Sequence, residues 1–342
     1  MTTRTKITSQ DVARMAGVSQ SAVSRVFTPG ASASKKTVHK VREAANILGY
    51  RPNALARAVV SGKSRIIGLV VAYLENQFYP DVLEKLSNAL QERGYHVLVF
   101  MAAQTAGHID DVVEEILDYQ VDGIIAASVA MSSDLSQRCR TAGVPMVLFN
   151  RTQDDPAMSA VASDNRAGGR KAAEHFLAAG HQRIGYIAGW EGASTQRDRE
   201  AGFVDGLAAQ GHTLHRREVG NFKTEDAREA TRRMFTGGDL PDAVFVANDH
   251  MALAVMDTLR FELGLNVPGD VAVIGYDDVP AAAWPSYDLT PVRQPSNRMV
   301  AETVDILLAQ IDNHTTAAPR RVEIDGPLII RGSTRPLEKG NK

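Results

Sequence analysis

The chain has 342 residues, of which 44% are hydrophobic and 23% charged, as is ordinary for a soluble protein with a sizeable core. No apolar run reaches the roughly 18 residues that a transmembrane helix needs, and the polar start "MTTRTKITSQ" is unlike a secretory signal. The single Cys139 excludes an intramolecular disulfide and a cysteine-rich metal site. We therefore expect a cytoplasmic protein of two or three compact units, with no membrane segment.

The net charge of −2 conceals an uneven distribution of charge along the chain. Residues 1–65 contain twelve Lys or Arg and two acidic residues, a balance of +10, so the remainder has a balance of −12. A small basic segment joined to an acidic body is typical of a polyanion-binding module fused to a second domain. Apolar periodicity within the basic segment argues against a disordered tail.

The stretch "VARMAGVSQSAVSRVF" (12–27) predicts two short helices that pack closely at a steep angle. Gly17 is expected to end the first helix in a left-handed conformation, and Ser19 to cap the second. Thr8 and Asp11 predict a capping box at the start of the first helix. The outward residues of the second helix are of the kind that read base edges in a major groove: Gln20, Ser21, Ser24 and Arg25. From this stretch alone, an ordinary helical hairpin with a solvated face is an equal alternative.

Two further helices are predicted in the basic segment. Ser34 begins the first, which has apolar residues at helical spacing and ends at Gly49. After Pro52, Asn53 can cap a helix running to about Val60, which is shorter than the ~12–15 residues that an isolated helix needs in water. We therefore expect this second helix to fold only on a partner.

From Arg65 onward, apolar strands alternate with helical stretches, which predicts two doubly wound lobes with parallel sheets. The predicted strands are "RIIGLVV", "HVLVFMA", "VDGIIAA", "VPMVLFN", "RIGYIAG", "AVFVAND", "VAVIGYDD" and "PLIIRGS". Ligands in such sheets bind at the carboxyl ends of strands. Those ends carry Asn150 and Arg151, Asn248 and Asp249, and Asp277 and Asp278. Taken singly each is as well explained as a cap or turn residue, but together their amides, carboxylates and guanidinium groups suit a polyhydroxylated small molecule.

The body lacks the motifs of common enzymes and cofactor sites. No G-x-G-x-x-G follows a predicted strand, no complete P-loop occurs, and "SGKS" (61–64) matches only the end of one. A G-x-S-x-G elbow and metal-ligand spacing of histidines are also missing. His175 and His181 are expected to be solvated or capping residues. We therefore expect no catalytic activity, no cofactor and no metal.

Motifs spread over essentially the whole chain resemble the LacI/GalR type of bacterial transcription regulator. They are "DVARMAGVSQSAVSRVF", "LGYRPNALAR", "SDNRAGGRKAAEHFLAAGHQRIGYIAG", "REAGF", "VFVANDHMALAVMDTLRFELGLNVPGDVAVIGYDD", "LTPVRQP" and "LIIRGSTR". The resemblance implies an all-α helix-turn-helix head and an α/β body of periplasmic-binding-protein type. The implied divisions are a head at 1–50, a hinge helix and linker at 51–64, and an effector-binding and dimerisation body at 65–342, with lobe one at about 65–162 plus 293–322 and lobe two at about 163–292 plus 323–336.

The resemblance also implies a mechanism. Two heads of a homodimer read the half-sites of a palindromic operator in double-stranded DNA, with paired hinge helices in the central minor groove. A small effector bound between the lobes controls operator affinity; we expect a sugar, sugar acid or polyol rather than a nucleobase. An activator, a corepressor-dependent nucleobase-type regulator and a solute-binding protein are the alternatives. Because no heptad tail follows the last predicted strand, we expect a dimer rather than a tetramer.

By position, the resemblance assigns site residues. For DNA, Gln20 and Ser21 set the operator sequence and Arg25 contacts a base or the backbone. The other DNA-binding positions are Thr8, Ser19, Ser24, Asn53, Ala56 and Val59. The family has Leu as the apolar wedge where this chain has Val59. The effector-binding positions are Phe78, Asn150, Arg151, Arg199, Phe222, Asn248 and Asp277. Phe222 either stacks on a sugar or only packs, and "AYLENQFYP" departs from the family wording at Glu75, Gln77 and Tyr79, which can reshape the pocket.

Overall fold

The computed structural model describes residues 7–28, 31–51, 63–102, 109–127, 129, 133–153, 155, 157–312 and 318–335. The chain divides into two compact units, Met1–Arg65 and Ile66–Lys342. In the described ranges, no helix is long and apolar enough to cross a membrane. The predicted hinge helix, including Asn53, Ala56 and Val59, lies outside the described residues.

Among its described residues, the first unit contains three helices whose ends follow the predicted caps. They are α1 (Ser9–Ala16), α2 (Gln20–Phe27) and α3 (Lys35–Leu48). The capping box of Thr8 and Asp11 is present, and Gly17 ends α1 in the left-handed conformation at φ 64°. Ser19 and Ser34 each accept a hydrogen bond from a backbone N–H of the helix that follows. Local sequence is therefore sufficient to set the limits of these helices.

The core of the first unit is small. Its buried residues are Val12, Ala13, Ala16, Val23, Val41, Ala44 and Ala45. Ala22 and Val26 of α2 are only half-buried. Four of the seven buried side chains are alanines, which bury little apolar area, so each larger side chain contributes a substantial share of the stability.

The second unit is built from alternating strands and helices. The strands are β1 (Ile66–Val71), β2 (His96–Met101), β3 (Gly123–Ala127), β4 (Met146–Phe149), β5 (Ser159–Ser163), β6 (Ile184–Ala188), β7 (Arg216–Val219), β8 (Ala243–Val246), β9 (Ala272–Asp277), β10 (Thr290–Arg293) and β11 (Arg321–Ile324). The α-helices are α4 (Phe78–Glu92), α5 (Ile109–Asp118), α6 (Ser133–Thr141), α7 (Asn165–Ala178), α8 (Ser194–Ala208), α9 (Thr224–Met234), α10 (Asp249–Asp257) and α11 (Ser296–Asp312). A π-helical turn, Thr258–Glu262, continues α10, and a 3₁₀ turn, Pro280–Ala283, follows β9.

These strands form two parallel sheets, as predicted. The sheet of lobe one has the order β11-β5-β4-β3-β1-β2, and the sheet of lobe two has the order β10-β9-β8-β6-β7. Central strands such as β3, β4 and β9 are fully buried because helices cover both faces of each sheet. The carboxyl ends of β4, β8 and β9 carry the polar residues that the sequence singled out.

The prediction of a strand at "PLIIRGS" (327–333) is wrong. Only Leu328 forms an isolated antiparallel bridge, to Val292, and the last strand lies earlier at Arg321–Ile324. Pro327 has no N–H to donate, and the segment that follows is tied across lobe two by single bonds such as Ser333 N–H to the carbonyl oxygen of Asp288.

The chain passes between the lobes three times, after β5, after β10 and after β11. Each crossing lies one or two residues later than the predicted lobe boundaries. The reason is that strand pairing continues to Ser163, Arg293 and Ile324 before the chain leaves each sheet.

Glycines allow α7 and α8 of lobe two to touch through their backbones. A Cβ at Gly169 would stand 2.1 Å from the carbonyl oxygen of Arg199, and a Cβ at Gly202 would stand 2.0 Å from that of Arg166. Real Cβ atoms essentially never approach another atom within 3.0 Å. This close contact fixes the position of α8, the helix that carries Arg199.

Candidate DNA-binding and effector-binding sites

The second helix of the first unit presents a polar surface. Gln20, Ser21, Ser24 and Arg25 are all exposed, whereas Val23 on the opposite side is 1% exposed. Gln20 Nε2 donates to Ser9 Oγ at 2.9 Å, and Arg25 Nε donates to the Ser21 carbonyl oxygen at 3.4 Å. These weak surface bonds orient the side chains over the helix and can exchange for bonds to base edges.

Thr8 and Ser19, predicted near phosphates, are both N-caps. The Thr8 hydroxyl donates to Asp11 Oδ2 at 2.7 Å, while Ser19 Oγ accepts from Ala22 N–H at 3.2 Å and lies 2.9 Å from Ser21 Oγ. Because the N-terminus of a helix carries partial positive charge and free N–H groups, the two caps mark places where a phosphate is favoured.

In the second unit, strained backbone marks the strand ends. Positive φ angles occur at Asn150 (68°), Phe222 (60°) and Asp277 (122°), and none of these residues is glycine. Asn and Asp adopt positive φ more readily than other non-glycine residues, whereas a bulky residue such as Phe222 is a genuine outlier there, with a cost of about 1–3 kcal/mol. The packing of lobe two holds Phe222 in this conformation. This fixes the direction of its side chain just beyond the end of β7.

A buried ion pair lies at the centre of the cleft side of lobe two. Arg199 Nη2 is 3.6 Å from Asp277 Oδ1, and the two side chains are 3% and 2% exposed. Arg199 Nε donates to Asn165 Oδ1 at 2.8 Å, and Nη1 donates to the Ala247 carbonyl oxygen at 2.5 Å. The ring of Tyr276 lies 3.6 Å below the guanidinium carbon. These contacts of the Arg199 guanidinium are all with residues of lobe two.

Three hydrogen bonds join the lobes near this ion pair. Asn76 Nδ2 of lobe one donates to Asp277 Oδ2 at 3.2 Å. Thr152 N–H of lobe one donates to Ser194 Oγ of lobe two at 3.0 Å. Ala281 N–H of lobe two donates to Gln77 Oε1 of lobe one at 3.3 Å. One of the residues predicted for the effector, Asp277, therefore also takes part in a bond between the lobes.

The end of β4 supplies two buried polar side chains. Asn150 Nδ2 donates to the Tyr79 hydroxyl at 3.1 Å, and its Oδ1 has no hydrogen-bond partner among the described residues. Arg151 is 5% exposed, its guanidinium carbon lies 5.5 Å from the ring centre of Trp190 in lobe two, and no described residue bonds to its Nε or Nη1. Burial lowers the pKa of Arg151, and the nearby Arg199 cation lowers it further.

Asn248 and its neighbour Asp249 have structural roles at the start of α10. Asn248 Oδ1 accepts from Met251 N–H at 3.0 Å, which makes Asn248 the N-cap. Asp249 Oδ2 accepts from Val279 N–H at 3.0 Å. Burial and the neighbouring Asp277 carboxylate raise the pKa of Asp249 well above its usual range. Burial also raises the pKa of Asp277, but the Arg199 guanidinium and the hydrogen bonds from Gln294 and Asn76 oppose this rise, so of the two carboxyl groups Asp277 is the better placed to be ionised.

Two aromatic side chains border the polar centre from opposite lobes. Phe78 of lobe one is 4% exposed and stacks on Phe149, with ring centroids 6.4 Å apart. Phe222 of lobe two is 5% exposed, and its ring occupies the space that a Cβ at Gly189 would need, 2.2 Å away. The ring of Phe222 packs against the backbone of lobe two, so packing is one established part of its role.

The structure also brings together residues that the sequence analysis missed. Gln294 Nε2 donates to Asp277 Oδ1 at 2.7 Å, and its Oε1 is buried without a partner in the described part of the chain. Asn76 was missed although its neighbours Glu75 and Gln77 were singled out. It lies two residues before α4, where its Oδ1 accepts from Phe78 N–H at 3.0 Å, and an Asn shortly before a helix was the available signal. Asp278, the second of the predicted aspartate pair, instead bonds to Arg293 and Arg331 at 2.5 and 2.7 Å.

A cavity of about 570 Å³ borders both lobes next to the ion pair. Gln77 and Phe78 line it from lobe one, and Asp277 and Gln294 from lobe two. This volume lies within the range of pockets for small ligands.

Comparison with known proteins finds matches for both units of the chain. Residues 8–53 match the bacterial regulatory proteins of the lacI family, and residues 173–334 match the periplasmic binding protein-like domain. The HTH-type transcriptional repressor PurR of Photobacterium profundum is 32% identical over 96% of this chain and 99% of its own. The lac repressor dimer bound to operator and the anti-inducer ONPF is 27% identical, with a TM-score of 0.86 over 96% of this chain and 99% of that chain. The transcriptional regulator CelR in complex with cellobiose is 30% identical, with a TM-score of 0.72 over 96% of this chain and 100% of that chain. The chain therefore belongs to the lacI family of bacterial regulatory proteins, and it is a DNA-binding transcriptional regulator rather than an enzyme.

Proposed function

We propose that this regulator is a homodimeric repressor, that Gln20, Ser21 and Arg25 read its operator, and that a small polyhydroxylated effector bound between the lobes controls its affinity for DNA. Phosphate contacts from the basic first unit supply most of the affinity and the exposed face of α2 supplies sequence choice. The hinge segment, with Asn53, Ala56 and Val59, completes the operator contact in this proposal.

The observation that carries the proposal is the bond between Asn76 and Asp277. Asp277 is at once the partner of Arg199 inside lobe two and an acceptor for lobe one. A ligand that bonds to Asp277 must compete with Asn76 or add to its bond, so it changes the free energy of lobe closure directly. A ligand shifts a conformational equilibrium only through such a difference in interaction between states.

A polyol is the class of effector that these groups favour. Carboxylate and amide oxygens accept from hydroxyls, guanidinium groups donate to them, and Phe78 and Phe222 offer apolar surface for the faces of a sugar ring. The cellobiose bound to CelR supports the same class. The positions proposed to contact the effector are Phe78, Asn150, Arg151, Arg199, Phe222, Asn248 and Asp277, to which we add Asn76 and Gln294.

The DNA half of the proposal is tested by selecting operator sequences from a random duplex library. Exchanging Gln20 and Ser21 for another pair should change the preferred bases, because each good base contact discriminates by about 1–3 kcal/mol. An exchange at Lys36 and Lys40, exposed on α3, is the control and should return the wild-type sequence. If the exchange at Gln20 and Ser21 also returns the wild-type operator, α2 does not read the bases.

The effector half is tested by a thermal-shift screen of sugars, sugar acids and polyols on the full chain. Asp277→Asn should abolish the shift caused by any compound that stabilises the wild type, because it removes an acceptor that the ligand and Arg199 share. Asp305→Asn, an exposed carboxylate of lobe one, is the control. A shift that survives in Asp277→Asn places the pocket elsewhere.

A further inference from the structure

The two buried arginines of the cleft differ in one respect that bears on the chemistry of the effector. All three nitrogens of Arg199 have an acceptor within lobe two. Within the part of the chain that the structure describes, Arg151 forms no ion pair, and its Nε and Nη1 have no hydrogen-bond partner, although the side chain is only 5% exposed. Unpaired buried charge is costly, and a protein tolerates it chiefly where a ligand completes the pair.

Among the described residues, the surroundings of Arg151 contain no compensating negative charge. The groups that influence it are the phenols Tyr73 and Tyr79 and the cation of Arg199. Burial raises the pKa of Tyr73 far above its usual range, so that this phenol is neutral and supplies no anion. The stacked ring of Trp190 offers Arg151 a partial, uncharged contact from lobe two.

The acidic residues of the cleft do not compensate Arg151. Asp277 is paired with Arg199, and neither Asp277 nor Asp249 is among the groups that act on Arg151. The carboxylate of Asp278 bonds to Arg293 and Arg331 at the edge of lobe two. Among the described residues, the guanidinium of Arg151 is therefore without an anionic partner.

Two buried acceptors of the cleft residues are also unpartnered among the described residues. Asn150 Oδ1, next to Arg151 in the chain, and Gln294 Oε1, bonded through its amide nitrogen to Asp277, are both buried without a donor from the described ranges. Amide oxygens of this kind accept from hydroxyl groups. Arg151 offers donors for an anionic group, and the amide oxygens of Asn150 and Gln294 offer acceptors for hydroxyl groups. A ligand that satisfies all of them has both an anionic group and hydroxyl groups.

We propose that the effector is a monoanionic sugar acid, an aldonate or uronate, whose carboxylate binds Arg151 while its hydroxyls bond to Asn150, Gln294 and Asp277. This inference rests on the proposed function and adds the charge of the ligand. The single positive charge of Arg151 matches one carboxylate, whereas a phosphate ester, with a charge near −2 at neutral pH, would leave a negative charge uncompensated.

The test compares acids with neutral sugars of the same carbon skeleton on the full chain, using gluconate against glucose, galacturonate against galactose, and glucose 6-phosphate as the phosphate probe. We expect an acid to stabilise the wild type at concentrations at which its neutral counterpart does not. Arg151→Gln should weaken the binding of the acid by about tenfold to a hundredfold, since it removes a charge-assisted bond, and should remove the advantage of the acid over its neutral counterpart.

A second measurement needs no ligand. Arg151→Gln should raise the melting temperature of the free protein, because it removes an uncompensated buried charge. The matched control is Arg93→Gln, which removes an exposed arginine from the same lobe and should change the melting temperature little. A fall in the melting temperature of Arg151→Gln would show that the protein itself compensates this charge and would overturn the proposal.

The outcomes separate this inference from the proposed function. If a neutral sugar binds equally to wild type and Arg151→Gln, and is lost in Asp277→Asn, the effector pocket stands and the anionic effector is refuted. Preferred binding of glucose 6-phosphate would likewise refute the carboxylate. If no acid and no sugar stabilises the wild type, both the polyol effector and its charge are refuted.

Discussion

Replacing Gly169 by alanine tests the backbone contact that positions Arg199. The new Cβ would stand 2.1 Å from the Arg199 carbonyl oxygen and 2.8 Å from Phe203 N. Even a tight contact of 3.4 Å requires α7 and α8 to separate by about 1.3 Å, since both neighbours are backbone atoms that cannot rotate away. Overpacking of this kind costs about 1–3 kcal/mol, and the rigid neighbours place Gly169→Ala at the upper end.

A second effect opposes the clash. Alanine is favoured over glycine in a helix interior by about 1 kcal/mol, and Gly169 lies within α7. The net destabilisation is therefore about 2 kcal/mol. For a body of 277 residues, Ile66–Lys342, this lowers the melting temperature by about 4 °C.

Differential scanning calorimetry of the full chain measures this shift. Gly238→Ala is the matched control, because a Cβ there meets nothing within 4 Å and the φ angle is not left-handed. A Gly169→Ala protein that melts within about 1 °C of Gly238→Ala would refute the close helix contact. Since the Arg199 carbonyl is the group that must move, the variant should also bind effector more weakly than wild type.

Further predictions concern the head, the hinge and pH. Val41→Ala removes a fully buried side chain from the small head core and should cost the head about 2 kcal/mol and weaken operator binding, whereas Ile47→Ala, 68% exposed on the same helix, should cost less than about 0.5 kcal/mol; equal losses of amide-exchange protection would contradict this. Val59→Leu should raise operator affinity several-fold to about tenfold, because each of two hinges gains a methylene worth about 0.8 kcal/mol at the central base step; titration at fixed salt showing equal or weaker binding would exclude Val59 as the wedge. Burial lowers the pKa of His175, so the unfolded chain takes up a proton as the pH falls below about 6.5 while the folded chain does not, and stability present at neutral pH is lost. His175→Leu should reduce this loss of melting temperature between about pH 7.5 and 5.5, and an unchanged slope would refute the assignment.

Features that depend on neighbouring residues were predictable from the sequence. Thr8, Gly17 and Ser34 set helix ends through bonds within a few positions, and the structure confirms each of them. The central strands were also predictable, because a continuous apolar run is what a strand covered on both faces requires. The face of α2 that carries Gln20 is exposed as the spacing predicted.

Strands that owe their existence to pairing were missed. The segment "SAVAS" of β5 consists of small residues, and β7 (Arg216–Val219) and β11 (Arg321–Ile324) are polar edge strands with little apolar signal. These segments are strands because a neighbouring strand of the sheet supplies hydrogen-bond partners for their backbone. The β-propensity of their own residues does not indicate such pairing. The expectation that His175 and His181 are solvated or capping was wrong, because both are buried. His175 lies on a face of α7 that lobe two covers, and His181, beyond the end of α7, faces Asp242; neither environment is visible in the local sequence.

The two arginines of the cleft show where prediction of a site from sequence stops. Both were assigned to the effector by position, yet Arg199 obtains its partners from Asn165 and Ala247, which lie 34 and 48 positions away, and Arg151 obtains none from the described residues. Whether a buried charge is compensated depends on partners that are distant in sequence. It can therefore be judged only when the fold that brings these partners together is known. In the effector site that we propose, Asn165 and Gly169 act without touching the ligand, because they hold Arg199 against Asp277. Arg151 is, in the same proposal, the charge that selects the effector.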